Sequence, residues 1–130
     1  MNESQFSKFH DQFMRKNGKV VPARLQAALA LYRTIMKRHL PGGKPSDVYN
    51  WYGMTVAWTM VETLRKAGKG LSRWSLLKAA RSLDTTRNPF LLPGIRIRTG
   101  PTDSYPLDTL YLYRYDNRQW VRASGLLPAR

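Results

Sequence analysis

The sequence contains no cysteine and almost no histidine, and these absences exclude several kinds of site. Among 130 residues there can be no disulfide framework, no thiolate metal site and no cysteine nucleophile. His10 and His39 are the only histidines, and neither has a carboxylate pair nearby or a hydroxyl at nucleophile-elbow spacing. Both are expected on helix surfaces. Without metal-ligand spacing or a glycine-rich phosphate loop, the chain is expected to be no enzyme and to hold no metal or cofactor.

Long apolar runs are also missing. The richest stretch, residues 51–64, is shorter than the roughly 18 residues that a membrane span needs, and it contains Glu62. Residues 1–10 lack the apolar core of a secretory signal peptide. No transmembrane segment is therefore expected, and the chain as written is expected to remain in the cytoplasm.

Acidic residues are scarce. Only 8 Asp and Glu stand against 22 Lys and Arg, so that the formal net charge is +14 and the isoelectric point is about 10.7. A charge of this size attracts polyanions such as RNA, DNA or an anionic membrane surface. The basic residues are spread over several predicted helices, however, which is typical of a solvated outer surface. No nucleic-acid-binding motif of a known type is present.

Aromatic residues near the C-terminus leave a second function open. Those that could form a stacking platform for single-stranded nucleic acid are Tyr111, Tyr113, Tyr115 and Trp120. Their alternation with Leu110 and Leu112 is also typical of a strand that is packed on both faces. A small basic nucleic-acid-binding protein is therefore the alternative hypothesis. If the charge has no such role, polyanion binding should be weak, non-specific and abolished by modest salt.

The spacing of apolar residues predicts two helices in the first third of the chain. The first covers residues 4–15, where Phe6, Phe9 and Phe13 recur at intervals of three and four. The second begins near Pro22, a favoured first-turn residue. Its apolar stripe consists of Leu25, Ala28, Leu29, Tyr32, Met36 and Leu40.

Two further helices are predicted in the middle of the chain. Ser46 or Asp47 is expected to cap the third helix, and Gly68 stands where a left-handed C-terminal cap would end it. Ser72 is expected to cap the fourth helix. The inner stripe predicted for the third helix is Tyr49, Tyr52, Val56, Met60 and Leu64. The buried side predicted for the fourth is Leu77, Ala80 and Leu83.

The pattern then changes from helix to strand. Residues 95–98 and 110–113 alternate as half-buried strands do, and residues 120–122 return as a partner strand after turn chemistry at Asp116-Asn117. A hairpin is therefore predicted at the C-terminus. Helices followed by so small a sheet make a poor free-standing domain, because the sheet has two faces and an edge that need covering.

From about residue 31 onward the chain resembles the C-terminal end of the type I periplasmic solute-binding proteins of ABC transporters, the branched-chain amino-acid receptor-like group. Five blocks in a fixed order carry the resemblance. They are residues 32–43, ending in Leu-Pro-Gly-Gly; Tyr52-Gly53 with Ala57 and residues 61–68; Gly70-Leu71-Ser72-Arg73; Leu92-Pro93-Gly94-Ile95; and Asp103, Pro106, Leu110, Leu112 and Arg114 leading into Asp116 and Trp120.

The resemblance implies an α/β fold, a partial lobe of the type I periplasmic-binding-protein fold. Three to four helices would be followed by a short strand and a C-terminal β-hairpin, with Asn117 where the family often has Gly. Residues 1–30 would be a poorly matched N-terminal helical extension, and residues 31–130 the C-terminal part of a periplasmic-binding-protein-like domain. The chain would then be a truncated fragment. An exposed apolar face on its third and fourth helices would favour self-association.

The same resemblance implies a function in uptake. Complete relatives work in the periplasm or outside the cell, where they capture a small polar solute such as an amino acid and present it to a membrane permease. Their ligand lies in a cleft between two lobes, and the matching neighbourhood here is Tyr49, Trp51 and Tyr52, whose rings could cover an apolar part of a solute. Tyr49 and Tyr52 are three residues apart and could equally belong to the buried face of their helix.

Overall fold

The computed structural model describes residues 23–118 and 120–128. The helix predicted over residues 4–15 lies outside the described residues, as does His10. The described part has three α-helices followed by short antiparallel strand pairs, a mixed α/β arrangement. None of the helices in this part is long and apolar enough to cross a membrane.

Helix α1, Ala23–His39, confirms the centre of the apolar stripe predicted for it, whereas Leu25 and Leu29 are half-buried and Leu40, just beyond the helix, is exposed. Its buried residues Ala28, Tyr32 and Met36 recur every four positions and therefore lie on one face. Its last three residues, Lys37, Arg38 and His39, are basic, and the charges of Lys37 and Arg38 complement the negative end of the helix dipole. His39 is exposed, as expected.

Helix α2, Val48–Ala67, begins and ends where capping chemistry predicts. The Asp47 side chain accepts a hydrogen bond from the backbone N–H of Tyr49 at 2.9 Å, so that Asp47 rather than Ser46 is the cap. At the other end Gly68 has φ 80° and ψ −171°, and its N–H donates to the Leu64 carbonyl at 3.2 Å. The positive φ favours glycine, although the ψ value is extended and not left-handed helical.

The inner stripe predicted for α2 is wrong. Its five members are all exposed in the structure: Tyr49, Tyr52, Val56, Met60 and Leu64. The opposite side of the helix packs on α1 instead, through Trp51, Met54 and Trp58. Both sides of α2 are apolar, so the spacing of apolar residues alone does not select the buried one.

The core lies between α1, α2 and the loop that contains Phe90. Phe90 is buried together with Ala28, Tyr32 and Met36 of α1. Trp51 of α2 contacts both α1 and the Phe90 loop. Its ring makes edge contacts with the Tyr32 ring, 5.1 Å away between centroids, and with the Phe90 ring, 5.2 Å away. Its Nε1 also donates to the Phe90 carbonyl at 2.9 Å.

Helix α3, Arg73–Ala80, begins with a reciprocal capping box. The Ser72 hydroxyl accepts from the backbone N–H of Ser75 at 3.0 Å, and the Ser75 hydroxyl accepts from the N–H of Ser72 at 2.9 Å. The cap predicted at Ser72 is therefore confirmed. Its buried residue is Ala79, whereas Leu77, predicted to be inside, is 47% exposed. Leu83, just beyond the helix, is buried as predicted.

The strands form three separate two-stranded antiparallel ladders. They are β1 Asp84–Thr85 with β2 Ile97–Arg98, β3 Thr109–Leu110 with β6 Leu127–Pro128, and β4 Tyr113–Tyr115 with β5 Trp120–Arg122. The predicted C-terminal hairpin is confirmed as β4 and β5, with Tyr115 opposite Trp120 and Asn117 at φ 70° in the turn. The strand predicted over residues 110–113 is wrong as a single element, because it divides between β3 and β4. The strand predicted over residues 95–98 is confirmed at Ile97–Arg98.

Candidate ligand-binding site

The structure separates the three aromatic residues that the resemblance assigns to a ligand site. Tyr49 and Tyr52 lie one turn apart near the start of α2 and are 79% and 62% exposed. Their alternative assignment to the buried face of the helix is therefore wrong. Trp51 points to the other side, where it packs between Tyr32 and Phe90. Two rings of the trio are open to a ligand and the third anchors the start of the helix.

Tyr52 stands on an apolar groove of about 400 Å³. One side of the groove is the outward face of α2, and the other is formed by α3, β2 and the segment that follows β2. The side chains that line it are Tyr52, Thr55, Val56, Thr59, Met60, Thr63, Leu76, Leu77, Ala80, Ile97, Pro106 and Leu107. None of these lining residues carries a formal charge. The groove is therefore suited to apolar surface and offers no ion pair to a ligand.

The α2 side of the groove is apolar because the sequence between Asp47 and Glu62 contains no charged residue. A helix that is apolar all round is typical of one that is covered on both sides. Here α1 covers one side. Among the described residues the other side remains open, with Val56 and Met60 about half exposed.

Three threonines of the lining satisfy their own hydroxyls within the helix. Thr55, Thr59 and Thr63 donate to the carbonyl oxygens of Trp51, Thr55 and Thr59, at 3.4, 2.8 and 2.8 Å respectively. This back-bonding to the residue four positions earlier is common for Thr in helices. The hydroxyls are therefore already paired, and the threonines add little polarity to the groove.

The far wall of the groove is assembled from segments that are distant in sequence. Ile97 of β2 bridges to Leu107, and the N–H of Arg98 donates to the Pro106 carbonyl at 2.9 Å. These contacts bring residues 106–107 beside α2. The sequence has no local signal for this wall, because Pro106 belongs only to the resemblance and Leu107 stands in no predicted element.

Arg73 and Arg81 of α3 are exposed and lie at helical spacing from Leu77. Arg98 follows Ile97 along β2 and therefore faces the other side of that strand. Burial raises the pKa of Tyr32 and of Tyr113, and the hydrogen bond from Arg96 lowers the pKa of Asp84.

The C-terminal hairpin carries three of the four aromatic residues of the alternative hypothesis, and Tyr111 lies two residues before it. Tyr115 and Trp120 form an exposed cross-strand pair with ring centroids 5.4 Å apart. The Arg122 guanidinium lies 4.5 Å from the centre of the Tyr111 ring, and the Tyr111 hydroxyl donates to the Pro93 carbonyl at 2.8 Å. Tyr111 and Tyr113 are half-buried. Two of the four predicted rings are therefore open to a stacking partner.

Across residues 23–118 and 120–128, no group of three or more His, Asp or Glu residues could hold a metal ion. Comparison of the chain with protein-family models, with curated proteins and with solved structures gave no match.

Proposed function

We propose that the chain is the C-terminal part of a type I solute-binding domain of an ABC-type uptake system. In its complete form the domain captures a small polar solute, with amino acids as the first class to test, and presents it to a membrane permease. The observation that carries the proposal is the pair of exposed rings, Tyr49 and Tyr52, at the start of α2. This is the position to which the resemblance assigns one wall of the solute cleft.

The apolar character of α2 supports the same proposal. In an α/β lobe a helix packs on a sheet with one face and on neighbouring helices with the other. Such a helix needs apolar residues on both sides, as α2 has between Asp47 and Glu62. No covalent chemistry is proposed, and the complete protein would act in the periplasm or outside the cell.

Each aromatic residue has a distinct role in the proposal. The rings of Tyr49 and Tyr52 cover an apolar part of the solute. Trp51 does not touch the solute. It fixes the direction in which the two tyrosines project, because its indole is held by Tyr32, by Phe90 and by a hydrogen bond to the Phe90 carbonyl.

The test is a thermal melt of the full chain with a panel of amino acids, in which circular dichroism monitors unfolding. A ligand stabilises only a state that binds it, by about 2.7 kcal/mol at a hundred times its dissociation constant. At least one amino acid should raise the melting temperature, and Tyr52→Ala should remove most of that rise. Tyr105→Ala is the matched control, because Tyr105 is also exposed but lies outside the groove lining. A melt that no solute shifts, or equal losses in both variants, would contradict the proposal.

The exposed pair on the hairpin favours one second candidate, binding of single-stranded nucleic acid. Stacking on Tyr115 and Trp120 would contribute about 1–3 kcal/mol per base, and Arg114, Arg118 and Arg122 lie close by in sequence. We expect instead that oligonucleotide binding reflects the net charge of +14 alone. It should then disappear at physiological salt.

Fluorescence anisotropy with a labelled single-stranded oligonucleotide distinguishes the two candidates. The matched pair of variants is Trp120→Ala on the hairpin and Trp74→Ala, an exposed tryptophan on α3. Binding that persists at physiological salt and is lost only in the Trp120 variant would establish the second candidate. Binding that both variants retain at low salt and lose at physiological salt would exclude it.

A further inference from the structure

The corner between α2 and α3 carries two large apolar side chains that are open to solvent. Residues 68–74 are all exposed, and within this corner Leu71 and Trp74 are 60% and 75% exposed. Neither of them lines the apolar groove. Tryptophan is on average a highly buried residue, so an exposed tryptophan close to an exposed leucine indicates a surface that another molecule covers.

Hydrogen bonds support the backbone of this corner. The Ser75 hydroxyl lies 3.1 Å from the Gly70 carbonyl oxygen, and Ser72 and Ser75 form the capping box at the start of α3. The side chains of Leu71 and Trp74 are therefore attached to a backbone that is already fixed. Their burial by a partner requires little ordering of the chain.

The corner lies in a basic stretch of the chain. Between Glu62 and Asp84 the sequence contains no acidic residue. The basic residues of this stretch are all exposed: Arg65, Lys66, Lys69, Arg73, Lys78 and Arg81. Arg65 pairs with Glu62 at 3.0 Å, and the other five have no acidic residue within the stretch to neutralise them. The apolar side chains are therefore accompanied by a concentrated positive charge.

We propose that this corner docks on the surface of an anionic lipid bilayer. Leu71 and Trp74 insert among the headgroups, where the amphipathic ring of tryptophan is favoured. Lys69 and Arg73, which flank them in sequence, lie beside lipid phosphates. Binding of a protein at a bilayer surface depends on buried apolar area together with attraction to anionic lipids. The corner offers both.

The same combination favours a bilayer over a single-stranded nucleic acid. Single strands bind to rings on which successive bases stack, and Leu71 provides no such ring beside Trp74. The acyl and headgroup region of a bilayer accepts leucine and tryptophan alike. A bilayer therefore matches both apolar side chains, whereas a nucleic acid matches one.

Charge also favours a bilayer over a second copy of the chain. Each copy carries a net charge of +14, and contact between two copies at this corner would bring two basic stretches together. Like charges repel on approach. An anionic bilayer supplies the opposite charge, so it complements both features of the corner.

Docking at this corner leaves the candidate solute site open. Between Tyr52 and the end of α2 at Ala67 the helix rises about 22 Å. Tyr49 lies still farther from the corner. The exposed tyrosines and the bilayer contact are thus at opposite ends of α2, and one does not cover the other.

Vesicle binding by the full chain at physiological salt tests the proposal. The probes are vesicles of phosphatidylcholine alone and vesicles of an equal mixture of phosphatidylcholine and phosphatidylglycerol. The chain should sediment with the anionic vesicles and not with the neutral ones. Leu71→Ala combined with Trp74→Ala should weaken this binding about tenfold, because it removes the inserted apolar surface. Leu112→Ala combined with Trp120→Ala is the matched control, since both residues are exposed but lie outside the corner.

A second pair of variants separates the local charge from the net charge. Lys69→Glu combined with Arg73→Glu should weaken binding to the anionic vesicles at least about tenfold. Lys44→Glu combined with Arg33→Glu makes the same change in net charge at exposed positions outside the basic stretch, and it should weaken binding less. Equal losses in the two variants would mean that net charge alone drives binding, and would overturn the proposal.

Fluorescence detects insertion with a conservative variant that keeps the fold. Phospholipids brominated in their acyl chains should quench part of the tryptophan emission of the parent chain. Trp74→Phe keeps an apolar ring, so it should bind the same vesicles and lack that quenching. Quenching that is unchanged in Trp74→Phe would overturn the proposal, as would a parent chain that binds no anionic vesicles.

Two further results would assign the corner to another partner. Oligonucleotide binding at physiological salt that the Leu71 and Trp74 double variant loses would assign it to a nucleic acid. A dimer that the same variant loses, without vesicle binding by the parent chain, would assign it to a second copy. These experiments contain no solute, so their outcome leaves the proposed function to its own test.

Discussion

At the scale of single residues, Asn88 connects helix α2 to the loop that contains Phe90. Only 1% of its surface is exposed. Its amide group donates to the Thr55 carbonyl and the Thr59 hydroxyl, and its carbonyl oxygen accepts from the N–H of Phe90 at 3.0 Å. A buried polar side chain stabilises a fold only if it is paired in this way.

We predict that Asn88→Ala lowers the free energy of unfolding by about 2 kcal/mol or more. The change leaves the buried Phe90 N–H without its acceptor, at about 1–3 kcal/mol, and also removes the two hydrogen bonds from Asn88 to α2. Urea denaturation measures the loss. Asn50→Ala is the control, since Asn50 is only half-buried and donates one hydrogen bond, to the Lys44 carbonyl. Similar losses in the two variants would contradict the role given to Asn88.

A second prediction concerns the Asp84–Arg96 pair. The hydrogen bond from the Arg96 guanidinium, whose Nη2 lies 2.6 Å from Oδ2, holds the pKa of the Asp84 carboxyl below its ordinary value. Because the folded-state pKa is lower than the unfolded one, the pair stabilises the fold above about pH 4. That stabilisation is lost as the pH falls through the folded-state pKa.

Asp84→Asn should therefore melt at a lower temperature than the parent chain near neutral pH, and this difference should shrink as the pH falls below about 4. Arg96→Gln should show the same pH dependence, because it removes the other partner. The pair is exposed, so the difference should be small and should shrink with added salt. A difference between parent and variant that does not change with pH would contradict the assignment.

At the scale of elements, the ends of the helices follow from the sequence. Aspartate and serine side chains cap backbone N–H groups over two or three residues, so the sequence alone predicts these contacts. The sequence alone did not decide whether Ser46 or Asp47 caps the start of α2. In the structure the Asp47 carboxylate accepts from the N–H of Tyr49.

The choice of cap is testable. Asp47→Ala should lower the free energy of unfolding by about 1 kcal/mol, because it leaves an N–H at the start of α2 without its acceptor. Ser46→Ala should change it by less than about 0.5 kcal/mol. Denaturation by urea, followed by circular dichroism, compares the two. A larger loss at Ser46 would mean that α2 begins one residue earlier.

The buried faces could not be predicted in the same way. For α1 the sequence offers a single apolar stripe, and its members Ala28, Tyr32 and Met36 are buried as predicted. For α2 it offers two, and which one is covered depends on contacts with Phe90, far along the chain. The prediction that the stripe with Tyr49 and Tyr52 is the buried one is wrong.

Strand pairing shows the same dependence on distant contacts. Residues 110–113 alternate without interruption, yet Leu110 pairs with Leu127 and Tyr113 with Arg122. Alternation of apolar and polar residues indicates that a segment can form a strand, but it does not determine which other segment pairs with it. The turn at Asp116-Asn117 is local, and the hairpin that it closes was therefore predictable.

At the scale of the whole molecule, only one wall of the candidate site could be predicted from the sequence. Tyr49 and Tyr52 were singled out because the resemblance placed them at the start of a helix. The opposite wall, with Ile97 and Leu107, forms only when three separate segments come together. The sequence contains no local signal for it.

The net charge of +14 leads to a prediction about the molecule as a whole. Folding brings like charges together, and salt screens their repulsion over about 8–10 Å at physiological strength. The melting temperature should therefore rise between low and physiological salt, and a gain of about 1 kcal/mol would amount to about 4 °C. Lys44→Glu combined with Lys69→Glu should reduce this rise, since both residues are exposed and lie outside the helices. A melting temperature that falls with salt would show that ion pairs outweigh the repulsion.

The threonine row of α2 has a consequence for whatever settles on it. The hydroxyls of Thr55, Thr59 and Thr63 donate to carbonyl groups of their own helix. A molecule bound in the groove therefore contacts mainly the methyl groups of these side chains. Three alcohols thus behave toward the groove much as three valines would. A bound molecule needs no hydrogen-bond donor or acceptor opposite these hydroxyls, so shape complementarity determines how well it packs along this part of the helix.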